Sequence, residues 1–198
     1  MYKKIALAFL VLPCIALAEE RNSVTLGYAH GLQGGFKKTV TTPVPGTSLK
    51  NDTGVNNGIN VKYRYEINDN VGVISSLTYM KQSANSSVIA EGKKATLGKF
   101  SLTQTSFSMG PSYRFNEYIS LYGTVGATQL NGKFEPAKNL KDVGVKKVEI
   151  KKLAPVYSLG LQINPVKNIV IDASLERRER KGQFADQTTG IIGVGYRF

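Results

Sequence analysis

Apolar and polar residues alternate with a period of two along most of the chain after about residue 20. In the clearest run, 58–66, apolar or aromatic side chains take every second position, at Ile59, Val61, Tyr63 and Tyr65. The same alternation recurs over 169–176 and 192–198. A period of two is the pattern of β-strands, whose successive side chains point to opposite faces. The sequence therefore predicts an all-β chain.

Eight segments follow this pattern, at about 22–31, 58–67, 71–81, 101–115, 118–131, 153–163, 168–177 and 187–198. Each holds about ten residues or more, which is the length that a tilted strand needs to cross a membrane. Strands of soluble proteins are usually nearer five or six residues. The segment lengths therefore favour membrane-spanning strands.

The connections between these segments alternate in length. Three are short and polar, at 68–70, 116–117 and 164–167, and four are longer, at about 32–57, 82–100, 132–152 and 178–186. Short turns at one end and long loops at the other are typical of bacterial outer-membrane barrels. We therefore predict an eight-stranded antiparallel transmembrane β-barrel with four extracellular loops and three short periplasmic turns. The pattern leaves open whether the second and third loops contain further strand.

Alternation alone does not distinguish a soluble β-sandwich from a barrel in lipid, since both have one apolar face. The placement of aromatic residues favours lipid. Seven of them cluster at the short-turn end: Tyr63, Tyr65, Tyr113, Phe115, Tyr118, Tyr196 and Phe198. Such a girdle marks a membrane interface.

The N-terminus has the form of a secretory signal. Lys3 and Lys4 precede an apolar run from Ile5 to Ala18 that ends in Ala16-Leu17-Ala18, a small-x-small cleavage pattern. We expect residues 1–18 to be a cleaved signal peptide and 19–198 to form the barrel. Cys14 is the only cysteine and lies inside this segment, so the mature chain is expected to need no disulfide.

If the apolar face meets lipid, the alternate charged positions face the lumen. These positions are Lys62, Arg64, Glu66, Arg114, Asp172, Glu176 and Arg197. Both signs are present, and eight strands leave a lumen that side chains can just fill. We therefore expect an ion-pair network that plugs the barrel.

Five segments along the chain are informative together. They are Val61-Lys62-Tyr63-Arg64-Tyr65-Glu66, Gly110-Pro111-Ser112-Tyr113-Arg114, Ser120-Leu121-Tyr122-Gly123, Leu161-Gln162-Ile163-Asn164-Pro165 and the terminal Gly193-Val194-Gly195-Tyr196-Arg197-Phe198. These segments resemble the Ail/Lom/OmpX family of small, virulence-related outer-membrane barrels. The resemblance implies an eight-stranded barrel in the outer membrane of a Gram-negative bacterium. It also implies functions carried by the loops, namely attachment to host cells, invasion or resistance to complement. The first loop looks long for this family, and the run 176–181 is unusually basic.

The formal charge of +12 falls mainly in the four long connections. The candidate cations for binding polyanions or host surfaces are Lys37, Lys38, Lys146, Lys147, Lys151, Lys152, Arg177, Arg178, Arg180 and Lys181. Clustered cations attract polyanions and speed their encounter. The expected partners are outer-membrane lipid and lipopolysaccharide, with host matrix proteins, sulfated glycans or complement regulators beyond them. No nucleic-acid motif is present, and nucleic acid is not an expected partner.

The sequence offers little support for catalysis. His30 is the only histidine, and no Gly-x-Ser-x-Gly elbow, His-Glu-x-x-His or Cys-x-x-Cys spacing occurs. We therefore expect a surface protein for adhesion, invasion or serum resistance, with no cofactor, metal site or catalytic residue. A structural barrel that binds lipopolysaccharide is the alternative, and a lipid-A-modifying enzyme ranks last.

Overall fold

The computed structural model describes residues 21–33, 39–41, 47–53, 55–90, 93–137, 147–179 and 186–198. Within these ranges the chain forms ten β-strands. They are β1 (Asn22–Gln33), β2 (Thr39–Thr41), β3 (Thr47–Thr53), β4 (Asn57–Glu66), β5 (Val71–Ala90), β6 (Lys93–Arg114), β7 (Ile119–Pro136), β8 (Val148–Val166), β9 (Ile169–Arg178) and β10 (Gln187–Arg197). In this described part of the chain, no helix is long and apolar enough to cross a membrane.

Eight of the strands close into a barrel in which every neighbour is antiparallel. Their order is β5-β4-β1-β10-β9-β8-β7-β6, and a direct pairing of β5 with β6 completes the circle. The two ends of the barrel chain meet where Asn22 and Phe198 exchange backbone hydrogen bonds of 2.9 and 2.8 Å. Closure pairs the backbone groups that lipid could not satisfy. The predicted eight-stranded antiparallel barrel is confirmed.

Short turns join the strands at the end where both termini of the barrel lie. Asn68 Oδ1 accepts hydrogen bonds from the backbone N–H groups of Asn70 and Val71, and Asn116 Oδ1 does the same for Tyr118 and Ile119. Asparagine favours turns because its side chain can replace a backbone acceptor in this way. The third turn is tighter than predicted, because β8 continues to Val166 and only residues 167–168 separate it from β9.

At the opposite end, four strands extend well beyond the barrel. β5 and β6 pair as far as Ala90 with Lys93, and β7 and β8 pair as far as Phe134 with Val148. β3 adds to the far half of β5, and β2 adds to β3. We call this extension, comprising 39–41, 47–53, 82–90, 93–102, 131–136 and 148–153, the protruding sheet. The second and third loops therefore contain further strand, the question that the sequence pattern left open.

The distribution of polarity is the reverse of that in a soluble β-protein. Large apolar side chains such as Leu26, Val125 and Leu159 are more than 60% exposed, whereas Lys62 and Asp172 are at most 2% exposed. An apolar exterior and a polar interior are what a lipid-embedded barrel requires. The aromatic residues near the short turns, among them Tyr113 and Tyr196, are about half exposed and lie on the lipid side.

Candidate functional site

The lumen near the short turns is occupied by one carboxylate and three arginines. Glu66 Oε1 lies 2.5 Å from Arg114 Nη2 and 3.0 Å from Arg64 Nη2, and Glu66 Oε2 lies 2.8 Å from Arg197 Nη2. These residues come from β4, β6 and β10, which closure of the barrel brings to one level. Arg64 also donates to Gln162 Oε1 at 3.1 Å.

A second cluster lies deeper in the lumen and is centred on Asp172. Its Oδ1 accepts from Lys62 Nζ at 2.5 Å, and both of its oxygens accept from the Tyr122 hydroxyl, at 3.1 and 2.9 Å. Gln162 Nε2 donates to Oδ2 at 3.1 Å, and Lys62 Nζ also donates to Ser174 Oγ at 3.0 Å. Asp172 is thus a fully buried carboxylate with donors on both oxygens, the condition under which a buried charge is tolerated.

Tyr122 reaches Asp172 only because β8 carries a glycine opposite it. A Cβ at Gly160 would lie 2.2 Å from Tyr122 Cζ, closer than any real contact. The phenol therefore lies against the bare backbone of Gly160 and fills the lumen with its ring. Lys62 Nζ lies 5.7 Å from the ring centroid.

Hydroxyl and amide groups fill the next level toward the loops. Glu176 accepts from Thr78 Oγ1 at 2.9 Å and from Ser106 Oγ at 3.1 Å. Above it, Gln104 Nε2 donates to Gln187 Oε1 at 3.1 Å. All seven residues predicted for the lumen face inward: Lys62, Arg64, Glu66, Arg114, Asp172, Glu176 and Arg197.

The assignment of Arg178 to the loop cations was wrong. Arg178 is 1% exposed and is among the largest fully buried side chains, because β9 continues to this residue. The alternation that turns Asp172, Ser174 and Glu176 inward also turns Arg178 inward. The signal was present in the sequence, since extending the strand by one residue would have placed Arg178 in the lumen.

Four of the predicted loop cations lie on the described surface. Lys147, Lys151, Lys152 and Arg177 are exposed. Lys37, Lys38, Lys146, Arg180 and Lys181 lie outside the described residues. Lys151 lies on the outer face of β8, Lys147 directly precedes the strand, and the alternation of the strand places Lys152 on its other face.

The sequence reasoning missed Lys133 as a member of this surface. Lys133 on β7 is opposite Glu149 on β8, so both residues lie on the same face as Lys147 and Lys151. Only the register of β7 against β8 reveals this grouping, and one strand read alone does not contain it. We call Lys133, Lys147 and Lys151 the outer-face lysines.

Glutamates interleave these lysines. Glu149 Oε1 lies 3.3 Å from Lys133 Nζ and 3.6 Å from Lys147 Nζ, and Glu135 Oε1 lies 3.8 Å from Lys147 Nζ. The hydrogen bond and charge of Lys133, together with Lys147, hold the pKa of Glu149 below its ordinary value. All four side chains are about half exposed, so water and salt screen these pairs.

Arg177 lies at the boundary between the barrel exterior and the loops. Its outward neighbours are Tyr157 on β8 and Thr188 on β10. Arg177 Nη2 lies 3.6 Å from Asp186 Oδ2, and the Tyr157 hydroxyl donates to Glu179 Oε1 at 2.6 Å. Leu175, two residues below Arg177 on the same face, is 55% exposed and belongs to the apolar belt. Arg177 therefore stands at the loop-side end of the exposed apolar side chains of β9.

His30 contacts neighbouring side chains of the barrel. Its Nδ1 lies 2.8 Å from Asn57 Oδ1 on the neighbouring strand, and its ring stacks with Tyr28 at 6.3 Å between centroids. In the described part of the chain, no three histidine, cysteine, aspartate or glutamate side chains are grouped so that they could hold a metal ion.

Comparison with known proteins extends over nearly the full chain. The family model described as outer membrane protein beta-barrel domain matches residues 5–198. The attachment invasion locus protein of Yersinia enterocolitica is 35% identical over 204 residues, covering 99% of each chain. Outer membrane protein X of Escherichia coli K12 is 32% identical and covers 89% of this chain and 94% of its own.

Among solved structures, Ail of Yersinia pestis in complex with the heparin analogue sucrose octasulfate is similar to this chain. It has a TM-score of 0.60 and 30% identity, with 90% of this chain and 98% of the Yersinia chain covered.

Proposed function

The chain belongs to the Ail/OmpX family of outer membrane β-barrel proteins, and on that premise we propose that its extracellular end binds sulfated polyanions of host surfaces. Binding through the outer-face lysines then mediates attachment to or invasion of host cells, or serum resistance. Host matrix proteins and complement regulators that carry anionic groups are partners of the same kind. The observation that carries the proposal is the grouping of three exposed lysines, two on one face of the protruding sheet and Lys147 at its edge.

The spacing of these lysines suits an extended chain of anionic groups. Lys147, the residue before β8, and Lys151 within β8 are four residues apart, roughly 14 Å at the usual rise per residue of a strand. Lys133 lies on the adjacent strand, about 5 Å away in the direction of the backbone hydrogen bonds. A linear polymer with a charge on each sugar can contact all three at once, whereas a single sulfate can contact only one or two.

A polyanion can displace the glutamates that pair with these lysines. Exposed ion pairs contribute little to stability, so a sulfate group can replace Glu149 or Glu135 as the partner of Lys147 at small cost. The described surface is therefore only weakly positive before a polyanion arrives. The Yersinia pestis relative bound to a heparin analogue supports sulfated glycans as the ligand class.

A direct test is expression in a non-adherent laboratory bacterium. We expect wild-type cells to bind host cells and survive in serum better than empty-vector cells, and soluble heparin to compete with attachment. The variant Lys133→Gln/Lys147→Gln/Lys151→Gln should reach the outer membrane and lose attachment. Glu135→Gln/Glu149→Gln, which changes the same face without removing a cation, should attach at least as well as wild type. Equal attachment by the lysine variant and wild type would contradict the proposal.

A second candidate function is the binding of lipopolysaccharide without a specific host partner. Arg177 favours it, because this arginine stands directly above the apolar belt, where lipid-A phosphates lie. Arginine binds phosphate in a bidentate manner. Arg177→Gln should then weaken retention of lipopolysaccharide by the purified barrel while leaving attachment to host cells unchanged. A lipid-A-modifying activity remains the last of the alternatives.

We also propose that residues 1–18, which lie outside the described residues, are removed during export. The mass of the protein purified from outer membranes should then correspond to a chain that begins at Glu19. An intact Met1–Ala18 segment on the purified protein would refute this.

A further inference from the structure

The lumen carries a local excess of positive charge at its periplasmic end. Arg64, Arg114 and Arg197 all converge on Glu66, which is the only carboxylate that ion-pairs with them in the described part of the chain. Each carboxylate oxygen of Glu66 is already engaged. Three buried or nearly buried guanidinium groups therefore share one carboxylate, so this cluster has two more positive than negative groups. Uncompensated buried charge is costly.

These arginines also retain donors that no protein atom uses. Among the described residues, the Nε–H groups of Arg64, Arg114 and Arg197 are buried without a hydrogen-bond partner. The Arg64 and Arg114 side chains are 2% and 8% exposed. A buried donor without an acceptor is unfavourable. The excess of guanidinium groups over carboxylates in this cluster therefore favours the approach of a further anion.

A cavity leads to this group from the periplasmic side. It has a volume of about 510 Å³ and opens between the short turns. Its lining consists of Arg21, Glu66, Asn68, Asp69, Asn70, Arg114, Asn116, Glu117 and Arg197. Asn70 Nδ2 donates to the Arg114 carbonyl at 3.0 Å and so fixes the turn beside that arginine.

The rim of the cavity differs in charge from its floor. Asp69 and Glu117 are exposed on the turns, and Arg21 donates to the Ile67 carbonyl at 3.3 Å. The Tyr118 hydroxyl bonds to Glu117, which raises the pKa of Tyr118. Asp69 and Glu117 therefore place negative charge at the rim, in contrast to the guanidinium groups of the floor.

We propose that the periplasmic mouth of the barrel is a binding site for one small oxyanion, a phosphate or carboxylate group held by Arg114 and Arg197. Arg21 attracts the anion at the rim, and the remaining guanidinium donors of the floor receive its oxygens. Charge-assisted hydrogen bonds to arginine are among the stronger ones in proteins. The bound anion offsets the excess charge beside Glu66, so its binding is linked to the stability of the barrel.

The experiment is a titration of the refolded barrel, in a zwitterionic detergent, with inorganic phosphate. Calorimetry measures binding, and the thermal unfolding midpoint is measured at each phosphate concentration. Ionic strength is held constant with chloride, and acetate is titrated in a parallel arm that distinguishes carboxylate from phosphate. We expect saturable binding of one anion per barrel and a midpoint that rises with its concentration. Arg197→Gln should weaken binding by about tenfold or more, and Asp69→Asn/Glu117→Gln should strengthen it several-fold.

Two further variants test the location of the site independently of the Glu66 cluster. Arg21→Gln lies outside the Glu66 cluster and should weaken binding even if Arg197→Gln assembles poorly. Arg177→Gln removes one exposed arginine at the opposite end and should leave phosphate affinity unchanged. The proposal is overturned if neither phosphate nor acetate binds saturably, or if Arg177→Gln weakens binding as much as Arg21→Gln does.

Discussion

Lys62 and Lys147 are both ion-paired lysines, but only Lys62 is enclosed by the protein. Lys62 Nζ lies 2.5 Å from Asp172 and both side chains are at most 2% exposed, whereas Lys147 Nζ lies 3.6 Å from Glu149 with both about half exposed. Water can replace either partner in the second pair and neither in the first. Charge inside the barrel is therefore coupled to folding, while charge on the outer face remains free to change partners.

The largest effect should follow from removing the centre of the inner cluster. Asp172→Ala leaves Lys62 charged and buried and takes away an acceptor from Tyr122 and Gln162. Breaking a buried pair in this way costs roughly 3–5 kcal/mol. Urea unfolding in detergent, followed by the heat-modifiable mobility of the barrel on gels, measures the loss. Asp69→Ala on an exposed turn is the control, and equal midpoints for the two variants would contradict the role given to Asp172.

The second-largest loss of stability should follow from a packing change next to the same cluster. Gly160→Ala brings a methyl group into the Tyr122 ring, and overpacking of this kind costs about 1–3 kcal/mol. Gly123→Ala is a matched control on the strand opposite, because a Cβ there meets nothing nearer than 3.9 Å. Gly160→Ala should cost less in a Tyr122→Leu background than in the wild type, and such coupling would tie the loss to this contact. A variant as stable as Gly123→Ala would refute the fit.

The adjacent arginines of β9 offer a comparison within a single dipeptide. Arg178 is buried and Arg177 is exposed. Arg178→Gln shortens a fully buried side chain and should lower stability by about 0.5–3 kcal/mol, whereas Arg177→Gln should change it by less than about 1 kcal/mol. Urea unfolding of both variants, measured under the same conditions, gives the two changes in stability. The reverse order would mean that the inward orientation of Arg178 is wrong.

The smallest effect on stability is expected on the outer face. Glu149→Gln removes an exposed carboxylate and should leave the unfolding midpoint unchanged. Because the folded-state pKa of Glu149 is lowered, any stability that its charge contributes is present at neutral pH and is lost as pH falls through that lowered pKa, below the ordinary 4.5. The difference in unfolding midpoint between Glu149→Gln and the wild type, measured at about pH 7 and again at about pH 3.5, gives this contribution. A large loss at pH 7 would contradict the comparison.

The barrel could be predicted from the sequence because lipid outside and a polar lumen inside both constrain side-chain type. Every second residue of 58–66 therefore carries the signal. Beyond the membrane this constraint is lost. The stretch Gln82–Ala90 is strand in the structure, but its serines, asparagine and alanines suit either face, so no alternation marks it.

The pairing of charges was only partly predictable. Alternation places Glu66 and Arg197 in the lumen, but they lie 131 residues apart, and only closure of β1 against β10 brings them to 2.8 Å. The same applies to Lys133, whose place beside Lys147 depends on the register of two strands. Arg178 is the opposite case. The predicted strand ended at residue 177, and continuing its alternation by one residue would have placed Arg178 in the lumen.

The division between inner and outer charge is tested most directly by retention of the purified barrel on immobilised heparin as salt is raised. We predict that wild type elutes at higher salt than Lys133→Gln/Lys147→Gln/Lys151→Gln, that Glu135→Gln/Glu149→Gln elutes at higher salt still, and that all three share one unfolding midpoint. Salt weakens such contacts by screening them. Elution of the lysine variant together with wild type, or a lowered unfolding midpoint for that variant, would contradict the account.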